Sequence, residues 1–369
     1  MECIANLSGN SKSMRSNQTT PINVTFALPG DFRSGGVRVT VIMANKLNEI
    51  GIKARIACPK PRVGLKQFAK TALGKLWVRT GENAGWLHLF KGETVFYKNL
   101  DELCYADKEI VIAVGSYMVG DVRCMKKPVR KIRFNHGMPT NPKPEHANAW
   151  HGTMPTITVS KTLIPKLESC SGKKVLAVIP NGIDRSEYYP REEIARDGIG
   201  AVYNPHPNKA PDDMLSLLKI IYKKHPNVPQ YVFSTEPCPP ELSHTTYTRY
   251  PSVEEACKIY NRAKCWLMTS KTEGLPGVAL EAMSSGCVMV TSDNDGSLEI
   301  IRHNKNGLIA HQPNLNEYLE HVEAVLDDDA LFARLSKRAT ETAESMTWER
   351  AADKMHSFLK SLELTVFHK

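Results

Sequence analysis

A chain of 369 residues is longer than one hydrophobic core usually serves and suits two domains of ordinary size. Hydrophobic residues at 41% and charged residues at 24% fit a folded globular chain, and no apolar run approaches the ~18 residues that cross a bilayer. The net charge of +9 hides an asymmetry: residues 1–182 hold 27 Lys+Arg against 12 Asp+Glu and the remainder 21 against 27, so the first half is expected to face an anionic partner.

Residues 1–20 are polar, lack the apolar centre of a secretory signal and read as a disordered lead. A β-branched run over 22–28 then enters the turn PGDFRSGG, followed by a helix over 37–50, Gly51 and a strand over 52–57, which together make a βαβ unit. Short buried strands are expected at 109–114, 129–134, 157–159 and 175–179, separated by polar or helical stretches. Pro180-Asn181-Gly182-Ile183-Asp184 has turn chemistry and marks a domain junction. The alternation then restarts, with strands at 199–203, 231–234, 265–269 and 288–291 and helices at 211–225, 253–263, 277–285, 315–326, 330–344 and 348–362. Strands alternating with helices imply parallel sheets covered on both faces, so the expected fold is α/β with two doubly wound, Rossmann-like domains. The expected domains are 21–182 and 183–346, with 347–369 as a final helix crossing back to the first. Nine cysteines, odd in number and without a C-x-x-C pair, predict reduced thiols in a cytoplasmic protein and no structural zinc.

The most informative segment runs from Met268 to Ile301. Glu273 lies just beyond a buried strand, where open α/β sheets place their ligands. Gly274-Leu275-Pro276-Gly277 opens a helix whose unpaired amides suit the anionic part of a ligand. Glu281 sits one turn into that helix and faces the same crevice if Val278, Leu280 and Met283 pack inward. Two carboxylates bracketing exposed amides suit a ligand that carries both hydroxyls and phosphates.

Glu273-x7-Glu281, written EGLPGVALEAMSSG and followed by an apolar strand and Glu299, resembles the donor-binding motif of family 4 glycosyltransferases. That resemblance implies a retaining, metal-independent enzyme of GT-B architecture, two domains facing across a cleft. It assigns the donor sugar's hydroxyls to Glu273 and the nucleotide ribose to Glu281. The amides near Gly274, Leu275 and Gly277 would face the sugar and distal phosphate. Gly35 and Gly36 resemble the family's Gly-Gly beside the donor diphosphate, and His136, in Phe134-Asn135-His136-Gly137, its active-site histidine. VIPNGIDRSEYYP over 178–190 is similar to the junction into the second domain, and Trp348 with the final helix to the segment that returns to the first. Lys209 occupies the place of the lysine that neutralises the diphosphate. The family usually has an arginine a few residues earlier, where this chain has Tyr203, Asn204 and His206.

The expected reaction moves a hexose-type sugar from a UDP- or GDP-sugar, with no cofactor, to a saccharide or lipid-linked acceptor in cell-envelope or exopolysaccharide glycan synthesis. Asp293-Asn294-Asp295 reads as a ligand-side loop or turn in place of a metal motif, and Asp327-Asp328-Asp329 as a solvated linker. Residues 65–79 carry an apolar stripe with Trp77 flanked by Lys66, Lys70, Lys75 and Arg79, the composition of an interfacial helix or of a core-facing helix with a basic outer side. With Lys126, Lys127, Arg130, Lys131 and Arg133, residues 62–79 and 126–133 are expected to meet an anionic surface, placing the protein peripherally at the inner face of the cell membrane. Two rival readings are a phage-type DNA glucosyltransferase of the same fold and a degenerate sugar-nucleotide-binding protein. The apolar stripe suits lipid better than a phosphate backbone, which disfavours nucleic acid as a partner.

Overall fold

The computed structural model describes residues 21–60, 85–137 and 154–364. The lead at 1–20 and the basic helix expected over 65–79 lie outside them. Two parallel sheets organise the rest. The first has seven strands in the order β3-β2-β1-β4-β5-β6-β7, namely β1 Asn23–Ala27, β2 Lys53–Pro59, β3 Thr94–Tyr97, β4 Ile110–Val114, β5 Arg130–Asn135, β6 Thr156–Thr158 and β7 Val175–Val178. The second has six in the order β10-β9-β8-β11-β12-β13, namely β8 Gly198–Val202, β9 Gln230–Ser234, β10 Thr246–Arg249, β11 Ala263–Met268, β12 Val288–Ser292 and β13 Gly307–Ala310. The central strands are buried because helices cover both faces: every residue of β4 and of β12 is inside.

The helices are α1 Gly35–Glu49, α2 Ser116–Cys124, α3 Ile164–Ser171, α4 Pro211–Lys224, α5 Val253–Arg262, α6 Gly277–Ser284, α7 Asp295–Ile300, α8 Leu315–Asp327, α9 Asp329–Glu344 and α10 Trp348–Leu364. In each sheet the first strand is central and the chain winds outward on one side before returning to the other. That reversal leaves a crevice at the carboxyl ends of β1 and β4 in one lobe and of β8 and β11 in the other. The two crevices open toward each other. The final helix belongs to neither sheet's own succession: α10 packs on α1, with Lys46 Nζ 3.0 Å from Glu349 Oε1 and with Met355 and Leu359 fully buried.

Three details depart from expectation. Helix α1 starts at Gly35, two residues early, because Ser34 is its N-cap, its Oγ accepting from Val37 N at 3.4 Å. Asp327–Asp329 is exposed between two helices, as expected of a solvated linker, but it is also tied to them: Asp328 caps α9 through Leu331 N at 2.9 Å and Asp329 pairs with Lys264 at 2.8 Å. In the basic run, Lys126 and Lys127 are exposed, but Lys131 donates to the carbonyls of Arg123 and Met125, Arg130 to that of Leu362, and Arg133 is buried. Those three cations serve carbonyls left over at helix ends, or the lobe's interior, in place of a surface.

The described cysteines are free thiols, and Cys58, Cys257, Cys265 and Cys287 are buried. Burial pushes the Cys58 thiol up to about 12 and Cys287 to about 11. Among the described residues, no helix is long and apolar enough to cross a membrane.

Candidate active site

A cavity of about 850 Å³ lies between the lobes, at the scale of a small-molecule site. Turns following β1, β4, β5, β8, β9 and β11 all reach it. From the first lobe come Gly35, Gly36, Gly115, Asn135 and His136; from the second come Tyr203, Lys209, Thr235, Glu273 and Glu281. Every residue singled out from the sequence as binding or catalytic therefore lines one space, Gly274, Leu275 and Gly277 included.

Glu273 is held on a tethered loop. Ser292 Oγ donates to the Ser270 carbonyl at 2.5 Å, Gln312 Nε2 to that of Thr269 at 2.5 Å, and Lys271 N to that of Asn208 at 2.8 Å. The last of these bonds fastens the Glu273 loop to the short turn Pro207–Lys209. That turn brings Lys209 Nζ to 2.5 Å from Glu273 Oε1, an ion pair at the edge of the cleft. Thr269 Oγ1 donates to the Lys209 carbonyl at 3.1 Å and fixes the same turn from below.

Glu281 faces the cleft, and Val278 both packs against the core and reaches the cavity. Val278 is half-buried and lines the cavity, on the same helical face as Glu281 three residues on, whereas Leu280 and Met283 fill the core. Glu281 is itself buried and bound at both oxygens: Tyr260 Oη donates to Oε2 at 2.8 Å, and Arg38 Nη1, from the other lobe, donates to Oε1. Arg38 Nη2 also donates to Tyr188 Oη at 3.2 Å, and the guanidinium lies 5.2 Å from the Trp86 ring centre. Burial opposes the charge of Arg38, yet Glu281 and Tyr188 hold its pKa above the ordinary arginine value.

Arg38, Tyr188, Tyr260 and Trp86 were not singled out from the sequence. The one available signal was the position of Arg38, three residues after Gly35 on a helix entering the cleft.

Gly35 and Gly36 sit in the first turn of α1, where amides lack intrahelical partners. A Cβ on either would meet nothing within 4 Å, so in this structure no close backbone approach requires glycine there. Gly274 is different: a Cβ would come within 1.9 Å of the His136 carbonyl oxygen, so the two lobes touch backbone to backbone at this point. His136 follows β5, its ring tilted against Phe134 with centroids 4.2 Å apart. Burial lowers its pKa to about 4, leaving a neutral imidazole at ordinary pH.

Asp293-Asn294-Asp295 forms a helix start. Asn294 caps α7 by accepting from Ser297 N at 3.0 Å, and Asp295 pairs with Lys166. Among the described residues, no group of three or more His, Cys, Asp or Glu is placed to hold a metal ion.

Residues 242–342 match the family Glycosyl transferases group 1. That segment contains β11, α6, Glu273 and Glu281. Spore coat protein SA of Bacillus subtilis (strain 168) is 24% identical over 234 residues, 54% of this chain and 62% of that protein. The capsular polysaccharide biosynthesis glycosyltransferase CapM of Staphylococcus aureus is 22% identical over 179 residues, 45% of this chain and 47% of its own. The chain thus spans less than two thirds of the length of these curated relatives.

Among solved structures, S. aureus TarM in complex with Fondaparinux, alpha-GlcNAc-glycerol and UDP superposes with a TM-score of 0.72 at 11% identity, covering 92% of this chain and 99% of TarM. HepE of Anabaena in complex with UDP-glucose gives 0.71 at 13% identity, covering 92% and 100%. At such identities the likeness establishes the fold, and it is the two-lobed GT-B architecture expected from the sequence.

Proposed function

We propose that the chain is a retaining glycosyltransferase that moves a hexose-type sugar from a UDP- or GDP-sugar to a saccharide or lipid-linked acceptor, in cell-envelope or exopolysaccharide glycan synthesis at the cytoplasmic face of a membrane. One observation carries the reading: Glu273, Glu281 and Lys209 stand at the carboxyl ends of the second sheet and face the amides of Gly35 and Gly36 across one cavity.

In this reading Glu281 accepts from the ribose hydroxyls and Glu273 from the sugar's hydroxyls, since ionised carboxylates are acceptors only. The first-turn amides of α1 and α6, with the Lys209 ammonium, stabilise the negative charge that builds on the diphosphate as the anomeric bond breaks. The bond's electron pair leaves with the diphosphate. The acceptor hydroxyl attacks the same face, and its proton passes to the departing phosphate oxygen. A neutral His136 beside the sugar can donate or accept one hydrogen bond without adding charge. The relatives with envelope-related names, Spore coat protein SA and CapM, support the choice of pathway.

Release of nucleoside diphosphate from a panel of UDP- and GDP-hexoses, in the presence of EDTA, tests the activity and its independence of metal. Glu273→Ala should lower turnover by about a hundredfold or more while the melting temperature moves by only a few degrees. Parallel loss of turnover and fold would count against a binding role for Glu273.

A further inference from the structure

Helices α1 and α6 enter the cleft from opposite lobes, each with its N-terminus toward the cavity and each with one ionised residue a turn in, and those two residues bind each other. Glu281 therefore has no oxygen clear of a partner: Arg38 holds Oε1 and Tyr260 holds Oε2. A ribose diol can take up Glu281 only by sharing or displacing the Arg38 guanidinium.

Arg38 has somewhere to go. Side chains on a helix lean toward its N-terminus, so a released Arg38 swings over the Ser34–Gly36 turn and its unpaired amides. Trp86 and Tyr188 flank the guanidinium at 5.2 and 5.9 Å from its carbon and confine that swing to the cavity. The loop ahead of Lys209 presents Tyr203, Asn204 and His206 to the cleft, so within that turn Lys209 is the one cation. A diphosphate carries more negative charge than a single ammonium offsets.

Building on the donor site proposed above, we infer that Arg38 is a donor ligand that changes partners: it rests on Glu281, and when a ribose takes that carboxylate the guanidinium passes to the diphosphate. The first lobe would then supply the second cation for the leaving group, and donor binding would replace a direct Arg38–Glu281 bond with a bond through the nucleotide. A planar, five-donor guanidinium suits both partners, carboxylate and phosphate.

Calorimetric titration of wild type and Arg38→Gln with UDP and GDP, and with uridine and guanosine, reads the transfer. Arg38→Gln should weaken the diphosphates about tenfold or more while the nucleosides bind at least as well as to wild type, because the diphosphates lose a bond to phosphate and the nucleosides lose only a competitor for Glu281. Equal weakening of nucleoside and diphosphate would overturn the inference, since Arg38 would then only orient Glu281. Tighter diphosphate binding would overturn it too, by making Arg38 a mere obstruction.

Arg38→Gln leaves a buried carboxylate without its partner, so the double variant Arg38→Gln/Glu281→Gln is compared with Glu281→Gln alone. The same diphosphate-selective loss between those two is expected, and its absence refutes direct phosphate contact. A wild type that binds neither diphosphate rejects the donor site itself, whereas a wild type that binds and an unaffected Arg38→Gln rejects only the transfer.

Discussion

His136 sits where the first lobe meets the second, its Nε2 enclosed and without a hydrogen-bond partner among the described residues. Burial lowers its pKa from 6.5 to about 4, so as pH falls the unfolded chain takes up this proton before the folded chain does. The imidazole's contribution to stability is therefore intact above pH 6.5 and drains away between 6.5 and 4. Linkage sets its ceiling at about 3 kcal/mol, and the half-buried position of the residue as a whole reduces this to about 1–2 kcal/mol. Urea unfolding of wild type and His136→Asn at steps between pH 7.5 and 4.5 should show their difference shift by that amount, against the wild type as acid is added. A difference that stays level would mean water reaches the ring freely. The same neutral imidazole makes His136 a poor proton donor and a suitable partner for a sugar hydroxyl, the role proposed for it.

Between residue and lobe, the junction Pro180–Asp184 and the start of α10 are locked by shape. A Cβ on Gly182 would fall 2.3 Å from the Trp348 amide nitrogen, and Ile183 N donates to the Met346 carbonyl at 2.9 Å. Gly182→Ala must push α10 off its seat on α1, costing about 2 kcal/mol or more, and the melting temperature should drop accordingly. Unchanged melting would show that the Trp348 backbone can step aside. Such elements differ in how openly the sequence announces them. Strands β11 and β12 with α6 between them read clearly because their runs are mostly apolar, as burial on both faces demands. Three strands went unread, β3, β10 and β13, and each lies at the edge of its sheet. Edge strands pair on one side only, so Thr94–Tyr97 and Thr246–Arg249 carry polar and half-exposed side chains, and Gly307–Ala310 is short and opens on glycine. The second-lobe side of the site was legible for the same local reason: Glu273, the turn Gly274–Gly277 and Glu281 fall within nine residues. Arg38 was not, because its partner lies 243 positions away and only its place three residues after Gly35 distinguishes it from a surface arginine.

At the scale of the molecule, the described residues join the lobes at several places around the cavity, Arg33 over the Tyr250 ring and Asn181 Nδ2 donating to the Leu275 carbonyl among them. Arg38 meets Glu281, the Gly274 backbone abuts that of His136, and Glu299 reaches across from α7. Glu299 Oε2 accepts from Ser160 Oγ at 3.1 Å, Lys161 N at 3.0 Å and Thr162 N at 3.2 Å, capping the short turn Lys161–Leu163 of the other lobe, while Lys166 pairs with Asp295 alongside. One carboxylate thus holds two backbone amides of the other lobe, the Thr162 amide being shared with Ser160 Oγ at 3.2 Å. Charge-assisted bonds of this kind are worth about 1.5–3 kcal/mol each before screening, comparable with the few kcal/mol that separate conformers of a two-lobed protein. Glu299→Ala should therefore raise the open population about tenfold or more if the polar cap sets the closed state. Small-angle X-ray scattering should then report a larger radius of gyration than wild type at equal ionic strength, with α10 still docked and the melting temperature little changed. An identical scattering profile would mean that closure rests on the continuous apolar packing through Ile183, Tyr188 and Trp348, a contact that salt and carboxylate chemistry do not reach.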